Sequence, residues 1–237
     1  MIINGLKINY KTIGKGKTFL ILHGWGSDSS KWQKVGELLS KRGFKVIIPD
    51  LPGFGNSQTP NFVFTVEDYS NFVKKFVDLL NIKKFYLLGH SFGGAVALMY
   101  SLKFPEEIEK LFLVGAACVR KKSFKVKLLN FLSKFFKLKS LFFRKIFYRK
   151  TDYLSVSGIM KEIYLKLIEK DLTDFFDKVS VSTTIIWGKK DKITPLKNAY
   201  LMNSKILNSK LEIIPESDHS PHLKTPEKLV EIISKYL

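Results

Sequence analysis

The stretch Leu87-Leu88-Gly89-His90-Ser91-Phe92-Gly93-Gly94 decides how this chain folds. An apolar, strand-like run leads into it, and an Ala-rich helical run over residues 95–100 follows it. Between the two lies Gly-x-Ser-x-Gly, the pattern of a nucleophile elbow, in which a strand turns sharply into a helix with the serine at the apex. The two glycines of the pattern let the backbone pass close to itself around Ser91. The free N–H groups at the start of the helix point toward that apex and favour negative charge there.

Strand-like and helical segments alternate on both sides of this stretch. Strands are predicted at residues 8–13, 18–22, 44–48, 85–88, 111–115, 183–188 and 210–215, and helices at 30–42, 65–80, 195–207 and 226–237, with the helix after the elbow ending at residue 104. Residues 14–17 predict a hairpin turn between the first two strands, and Thr65 begins a capping box. Strands that alternate with helices in this way predict a mostly parallel central sheet flanked by helices on both faces.

The alternation stops between residues 119 and 175, which contain no convincing strand. Residues 124–138 place apolar side chains on one helical face and lysines on the other, and a second helical run covers residues 158–170. We therefore expect a helical insertion after a sheet strand. The predicted division is a first part of the core at residues 1–117, a helical cap at 118–175 and a second part of the core at 176–237.

The insertion also holds most of the excess positive charge. The 237 residues include 40 Lys or Arg and 21 Asp or Glu, and residues 119–151 contain twelve basic residues and no acidic one. Because like charges repel, we expect this basic stretch to be either a solvated face or a surface that attracts an anionic partner. That partner would be an acidic carrier protein, an anionic lipid surface or an anionic substrate. Its aromatic residues fall at helical core spacing and no recognition motif is present, so no nucleic acid is expected as a partner.

Length and composition exclude several other classes. The chain fits one α/β domain with an insertion, and its single cysteine, Cys118, excludes an intrachain disulfide. No apolar stretch reaches the length of about 18 residues that a transmembrane helix needs, and no long apolar run begins the chain, so a cytoplasmic protein is expected. No His/Cys/Asp cluster has metal-ligand spacing and no Gly-x-Gly-x-x-Gly follows a strand, so neither a metal nor a cofactor is expected.

Two loops that follow predicted strands carry an acid and a histidine. Asp191 lies beyond the strand at residues 183–188, and His219 lies beyond the last strand. Since the carboxyl ends of parallel strands meet at one edge of a sheet, we expect both side chains to lie near Ser91. A serine hydroxyl is a weak nucleophile until a base removes its proton, and His219 is the candidate base. Asp191 would hold the imidazole in the productive tautomer and stabilise its charged form.

A glycine-containing loop, His23-Gly24-Trp25-Gly26-Ser27, follows the second strand. Such a loop can aim backbone N–H groups into a cleft, and we expect the N–H groups of Trp25 and Phe92 to bind a developing oxyanion. The alternative is an ordinary turn in which Ser27 or Asp28 caps the next helix.

Other interpretations of the site residues stay open from the sequence alone. Ser91 could be merely structural, and Asp191 could cap the helix that begins near Pro195. His222 lies three residues after His219 and could be the base instead.

These motifs resemble those of α/β-hydrolase-fold enzymes that carry a helical cap. The matching elements are an oxyanion loop at residues 23–26, an Asp-x-x-Gly-x-Gly-x-Ser loop at 50–57, the elbow at 89–93, an acid loop at 188–195, and a histidine loop with its final helix at His219 and Pro226. They cover nearly the whole chain, and the serine, the aspartate and the histidine occur in the order expected of that fold. The resemblance implies the α/β-hydrolase fold with a cap that contributes most of the substrate pocket. Asp50 is expected to anchor its own loop through backbone bonds.

The resemblance further implies a serine hydrolase that cleaves carboxylic esters through an acyl-enzyme on Ser91. Carbon–carbon bond hydrolases and acyl thioesterases of the same fold are the enzymatic alternatives, and a non-catalytic ligand-binding member is another. The loops at residues 23–26 and 50–55 are similar to those of pimeloyl-carrier methyl ester esterases, which meet an acidic carrier protein.

Overall fold

The computed structural model describes residues 1–120 and 158–237 of the chain. Its strands are β1 Ile2–Ile3, β2 Leu6–Lys7, β3 Tyr10–Ile13, β4 Lys17–Leu22, β5 Phe44–Pro49, β6 Phe85–His90, β7 Ile108–Val114, β8 Thr183–Gly188 and β9 Ser209–Ile214. Its α-helices are α1 Gln33–Ser40, α2 Val66–Leu79, α3 Phe92–Lys103, α4 Gly158–Glu169, α5 Lys197–Lys205, α6 Pro221–Lys224 and α7 Pro226–Ser234. Short 3-10 helices cover Ser29–Trp32, Pro105–Glu107 and Thr173–Lys178.

Seven of these strands form one sheet in the order β3-β5-β4-β6-β7-β8-β9. The edge strand β3 runs antiparallel to β5, and every other neighbouring pair in the sheet is parallel. The inner strands are apolar over most of their length and buried on both faces, as parallel strands covered by helices must be. The predicted mostly parallel sheet is thereby confirmed, and its carboxyl edge gathers the loops that follow β4, β6, β8 and β9.

The hairpin predicted at residues 14–17 is wrong. β3 pairs with β5, with Ile13 opposite Val46, and β5 separates β3 from β4. The connection instead crosses the start of β5, where a Cβ at Gly14 would lie 2.5 Å from the carbonyl oxygen of Phe44. The more apolar β5 takes the inner position, which leaves the half-exposed β3 at the edge of the sheet.

Helices cover both faces of the sheet. α1 and α7 pack on one face, where Val35 and Leu229 are fully buried against residues of the central strands. α2, α3 and α5 pack on the other face, in a larger apolar core that includes Val73 and Met202. Because α3 lies between the sheet and α2, it is buried on nearly all sides, and its Ala- and Gly-rich sequence lets these neighbours approach closely.

Local signals account for several helix ends. The predicted capping box is confirmed at α2, where the N–H of Asp68 donates to Thr65 Oγ1 and the N–H of Thr65 donates to the Asp68 carboxylate. The first predicted helix begins instead as the 3-10 turn Ser29–Trp32, since the Asp28 carboxylate accepts from the N–H of Ser30 and tightens the entry. The short helix α6 is not among the predicted elements.

The chain leaves the sheet after β7 and returns to it at β8. Between these strands the structure describes α4, which confirms the helical run predicted at residues 158–170 and buries Ile163 and Leu167. The amphipathic run at 124–138, and all but the first two residues of the basic stretch, lie outside the described residues. The division of the chain at residues 118 and 175 stays a prediction. In the part of the chain that the structure describes, no helix is long and apolar enough to cross a membrane.

Candidate active site

Ser91 lies where β6 turns into α3. Its backbone adopts a φ of 52° and a ψ of −115°, a region that residues with side chains rarely occupy. Hydrogen bonds hold this strained turn, because the N–H of Ser91 donates to the carbonyl of Val114 at 3.0 Å and its carbonyl accepts from the N–H of Ala117 at 2.9 Å. A Cβ at Gly89 would lie 2.6 Å from the Cβ of Ala97, so close packing requires glycine there. The strand, sharp turn and helix predicted around Ser91 are all present.

The structure brings the three predicted side chains together at the carboxyl edge of the sheet. His219 Nε2 lies 2.9 Å from Ser91 Oγ, and His219 Nδ1 lies 2.8 Å from Asp191 Oδ2. A carboxylate can only accept, so Nδ1–H donates to Asp191 and Nε2 is left to accept the hydroxyl proton of Ser91. The loops after β6, β8 and β9 thus supply one continuous chain of hydrogen bonds.

Asp191 is held as a buried carboxylate. Its Oδ1 accepts the N–H groups of Ile193 and Thr194, each at 2.8 Å, and its Oδ2 accepts the hydroxyl of Thr194 at 2.7 Å. Burial alone would raise the pKa of Asp191, but hydrogen bonds from His219 and Thr194 outweigh it and hold this pKa below its ordinary value. Asp191 does not cap the next helix, because α5 begins after Leu196.

Thr194 is a site residue that the sequence analysis does not single out. Besides its bond to Asp191, its hydroxyl lies 3.2 Å from His219 Nδ1 and 3.1 Å from the carbonyl oxygen of Gly115. Its spacing from Asp191 could have identified it, since a threonine three residues after an aspartate can donate its N–H and its hydroxyl to that carboxylate. Thr194 fixes the orientation of the acid that faces His219.

The loop at residues 23–26 lies beside the elbow. A Cβ at Gly24 would lie 3.3 Å from the Cβ of Ser91, so the backbone of the loop closely approaches the serine. The Trp25 ring packs edge-on against the Phe92 ring, with 5.9 Å between centroids. Phe92 is the first residue of α3, and its N–H belongs to the first-turn donors that have no acceptor within a helix. The role of the Trp25 and Phe92 N–H groups as oxyanion donors stays a prediction.

His23 and Asp50 anchor the loops around the site. His23 is fully buried; its Nδ1–H donates to the carbonyl of Gly24 at 2.8 Å and its Nε2 accepts the N–H of Leu51 at 2.9 Å. Burial lowers the pKa of His23, and this hydrogen-bond pattern fits the neutral ring. Asp50 accepts two backbone N–H groups, at 2.7 and 2.9 Å, so its predicted anchoring role is confirmed.

His222 is placed away from the base position. It is buried, and its ring stacks on Trp32 with 4.2 Å between centroids and 2° between planes. Burial lowers the pKa of His222 to about 3, so its ring is neutral at pH 7. The imidazole that reaches the serine is that of His219, and the position of His222 does not support the alternative assignment.

Metal-binding clusters and reactive thiols are not features of the described site. Within residues 1–120 and 158–237, no group of three or more His, Cys, Asp or Glu side chains could hold a metal ion. Burial raises the pKa of Cys118 to about 12, so its thiol is uncharged and unreactive at neutral pH.

Comparison with known proteins finds relatives along nearly the whole chain. The model of the alpha/beta hydrolase fold family matches residues 17–155. A 2-hydroxy-6-oxononadienedioate/2-hydroxy-6-oxononatrienedioate hydrolase of Pseudomonas putida is 29% identical to this chain, over 90% of this chain and 86% of the relative. A pimeloyl-acyl-carrier-protein methyl ester esterase of Wigglesworthia glossinidia brevipalpis is 28% identical over 96% of both chains. Among solved structures, the esterase EaEST of Exiguobacterium antarcticum superposes with a TM-score of 0.80 at 27% identity, covering 99% of this chain and 96% of that one.

Proposed function

This chain belongs to the α/β-hydrolase fold family, and we propose that it is a serine hydrolase that cleaves carboxylic esters. The observation that supports this most directly is the chain of hydrogen bonds from Ser91 Oγ through His219 to Asp191, at 2.9 and 2.8 Å. The relative of Wigglesworthia and the structure of Exiguobacterium, which align over nearly the whole chain, are both esterases. A hydrolase built in this way needs water as its second substrate and no cofactor.

In the first half of the proposed reaction, Ser91 Oγ attacks the ester carbonyl carbon while His219 Nε2 takes the hydroxyl proton. The N–H groups of Trp25 and Phe92 bind the oxyanion, and donors of this kind contribute roughly 3 kcal/mol each to transition-state stability. The carboxylate of Asp191 stabilises the imidazolium. His219 then gives its proton to the alcohol oxygen, the C–O bond breaks, and the acyl group stays on Ser91.

In the second half, His219 removes a proton from a water molecule that attacks the acyl carbon. The oxyanion forms again between the same N–H donors, and the bond between the acyl carbon and Ser91 Oγ breaks. His219 returns the proton to Ser91, which releases the carboxylic acid. The strained backbone of Ser91 favours this cycle because it holds Oγ at the apex of the turn rather than within α3.

A covalent probe tests the proposed nucleophile before the natural substrate is known. A fluorophosphonate should label the protein once, and peptide mass spectrometry should find the label on Ser91. A panel of chromogenic esters of graded acyl length should then show turnover that the label abolishes. Labelling elsewhere, or turnover that survives complete labelling of Ser91, would reject this mechanism. A ligand-binding member without catalysis would show neither reaction.

Carbon–carbon bond hydrolysis is a second candidate function. The relative of Pseudomonas putida is a hydrolase of 2-hydroxy-6-oxo dienedioates and aligns over 90% of this chain. The same serine, histidine and aspartate would serve either reaction, with a carbon rather than an oxygen leaving group. Parallel measurement of kcat/KM for such a dienedioate, for the best ester of the panel and for a thioester of the same acyl group decides among the three bond types. We expect the ester to give the highest value.

We also propose that residues 118–175 act as a cap that shapes the substrate pocket. α4 supports this, because the Tyr164 ring packs on the Trp25 ring of the 23–26 loop, with 5.1 Å between centroids. Met160 of the same helix lies so close to Gly53 that a Cβ at residue 53 would collide with its thioether. An ion pair between Lys170 and Glu67 adds a third link to the core. α4 therefore reaches over two of the loops that surround Ser91.

The basic stretch at residues 119–151 would attract an anionic partner, and we propose an acidic carrier protein that bears the acyl group. Support comes from its twelve basic residues without an acid and from the relative of Wigglesworthia, which is a pimeloyl-acyl-carrier-protein methyl ester esterase. Replacing Lys134, Lys137 and Lys139 by serine should weaken binding of an acidic acyl carrier protein at low salt. The difference should shrink at high salt, because the screening length falls from about 8 Å at physiological ionic strength to about 3 Å at 1 M. The matched control replaces Lys15, Lys31 and Lys45 by serine; these exposed lysines lie outside the basic stretch, in the first part of the chain. Equal losses in both triple variants, or binding to anionic vesicles instead, would reject the carrier.

A further inference from the structure

Behind the active-site histidine lies a buried group of three rings, Trp32, His90 and His222. The His90 and His222 ring centroids are 4.6 Å apart, and those of His90 and Trp32 are 5.7 Å apart. The centroid of the His219 ring lies 5.0 Å from that of His90. Nothing in the reaction derived above uses this ring cluster, although His90 directly precedes Ser91 in the chain.

One polar contact leaves the ring cluster toward the site. His90 Nε2 lies 2.8 Å from the main-chain carbonyl oxygen of His219. A carbonyl oxygen only accepts, so Nε2 carries the hydrogen and donates it. Burial, followed by the neighbouring His222 and His219, holds the pKa of His90 well below its ordinary value, so the ring donates as a neutral imidazole.

The other ring nitrogen of His90 indicates that this residue does more than fill space in the core. Its Nδ1 is buried and has no hydrogen-bond partner among the described residues, and such an unsatisfied atom destabilises the folded state. A leucine or a phenylalanine would fill the space without that loss. The feature that favours histidine at position 90 is therefore its Nε2–H, which donates to the main-chain carbonyl of His219, the candidate base.

His90 also touches the loop on the opposite side of the serine. A Cβ at Gly24 would lie 2.9 Å from His90 Nδ1, so the backbone at Gly24 rests directly on the imidazole. The ring stands at the end of β6, an inner strand whose neighbours on both sides fix its backbone. One side chain on a rigid strand therefore contacts the loop before Trp25 and the loop that bears His219.

We propose that His90 is a positioning residue, which holds the main chain of His219 at the distance that lets its imidazole reach Ser91. This inference rests on the proposed serine-hydrolase function. Without the bond from His90, the loop after β9 is still anchored at Ser217, whose carbonyl accepts from the N–H of Lys190 at 2.9 Å, but the direct tie at His219 is lost. The imidazole then spends less time in line with the serine hydroxyl.

The test compares side chains at residue 90 that differ in what they can donate. His90→Leu removes the donor, His90→Asn keeps an amide that is too short to reach the carbonyl of His219, and His90→Gln places an amide nitrogen near the original Nε2. We expect His90→Leu and His90→Asn to lower kcat and the rate of fluorophosphonate labelling of Ser91 by about 10- to 100-fold, with KM changed less than about twofold. His90→Gln should recover most of that loss.

His222→Phe is the matched control, because it keeps the stack on Trp32 and removes an imidazole that makes no bond to His219. Thermal unfolding of each variant separates positioning from packing. If His90→Leu folds poorly, the comparison of His90→Asn with His90→Gln decides the question, since both place an amide at residue 90. Equal kcat in the Asn and Gln variants, or a loss in His222→Phe as large as in His90→Leu, would overturn the proposal. His219→Ala separates the two claims: if it leaves labelling of Ser91 unchanged, the proposed function itself fails.

Discussion

The hydroxyl of Thr194 donates to Asp191 Oδ2 at 2.7 Å, the same carboxylate oxygen that accepts from His219 at 2.8 Å. One carboxylate oxygen thus accepts from both donors, and together they fix the orientation of the carboxylate. The second carboxylate oxygen is held by two backbone N–H groups of the same loop. The orientation of the Asp191 carboxylate is therefore set largely by contacts within its own loop, whereas His219 comes from a different loop.

Replacing Thr194 by valine should weaken this orientation without changing the volume of the side chain. A hydrogen bond to a charged group contributes about 1.5–3 kcal/mol, so the free energy of unfolding should fall by an amount in this range and kcat by about 3- to 10-fold. Urea unfolding and steady-state kinetics measure the two effects. Thr194→Ser, which keeps the hydroxyl, is the control and should stay close to the parent protein. Parent-like stability and kcat in Thr194→Val would show that the hydroxyl does not orient the acid.

Replacing Asp191 by asparagine should lower kcat by about 10⁴-fold, because an amide can donate to His219 Nδ1 and stabilise the wrong tautomer. The protein should stay folded, since the amide is the same size as the carboxylate. Asp78→Asn, on an exposed position of α2, makes the same chemical change far from the site and should leave kcat unaltered. A loss below tenfold in Asp191→Asn would remove the aspartate from the mechanism.

Because burial lowers the pKa values of three histidines, we expect the free energy of unfolding to fall in mild acid. Burial lowers the pKa of His222 from 6.5 to about 3, and the pKa values of His23 and His90 are lowered as well. Between pH 6.5 and the lower folded-state pKa, the unfolded chain binds protons that the folded chain does not, so the free energy of unfolding falls as the pH falls. Each such histidine contributes roughly 1.4 kcal/mol per pH unit.

Urea unfolding at pH 6.5, 6 and 5 measures this slope, and His222→Phe should reduce it by the contribution of one histidine. Asp191 acts in the same direction, because its lowered pKa stabilises the folded protein above the unfolded pKa of 3.8 and that stability is lost as the pH falls through the folded value. Its contribution begins below the range measured. A slope that is unchanged in His222→Phe would show that His222 is already charged in the folded protein.

Removing the Tyr164 ring should change which esters are preferred rather than the chemistry itself. Tyr164 lies on α4 against the Trp25 ring, so Tyr164→Ala should open space beside the loop and shift the preferred acyl length in the ester panel. Labelling of Ser91 by a small fluorophosphonate should change less than about threefold. Tyr200→Ala, at a tyrosine that is 53% exposed, is the control. An unchanged acyl preference in Tyr164→Ala would argue that α4 does not line the pocket.

The sequence predicts that Ser91, Asp191 and His219 meet at one edge of the sheet because each one sits in a local pattern, whereas their catalytic roles stay a prediction. Glycines at fixed distances from Ser91 specify the sharp turn, and Asp191 and His219 lie in loops that begin where apolar, strand-like runs end. The edge of a parallel sheet then brings these loops together. No knowledge of side-chain packing is needed for that step, which is why Ser91, Asp191 and His219 are found from spacing alone.

The features that the sequence does not predict depend on contacts between distant segments. β3 pairs with β5 and not with β4, although the glycines at residues 14–17 favour a hairpin turn between β3 and β4. The bond from His90 to the carbonyl of His219 joins positions 129 residues apart and leaves no pattern in either segment. Thr194 lies within a local turn, but its second contact, to the histidine ring, exists only after the loops have met.

The most direct test of the central claim is the hydrolysis of activated esters by Ser91→Ala. The alanine keeps the elbow and both partners but removes the nucleophile, so turnover should fall by many orders of magnitude, to the level that binding and oxyanion stabilisation alone provide. Thermal unfolding and circular dichroism should match the parent protein within error, because alanine keeps the Cβ and therefore the same backbone strain at residue 91. Turnover within about tenfold of the parent, in a Ser91→Ala protein with the native fold, would contradict the account.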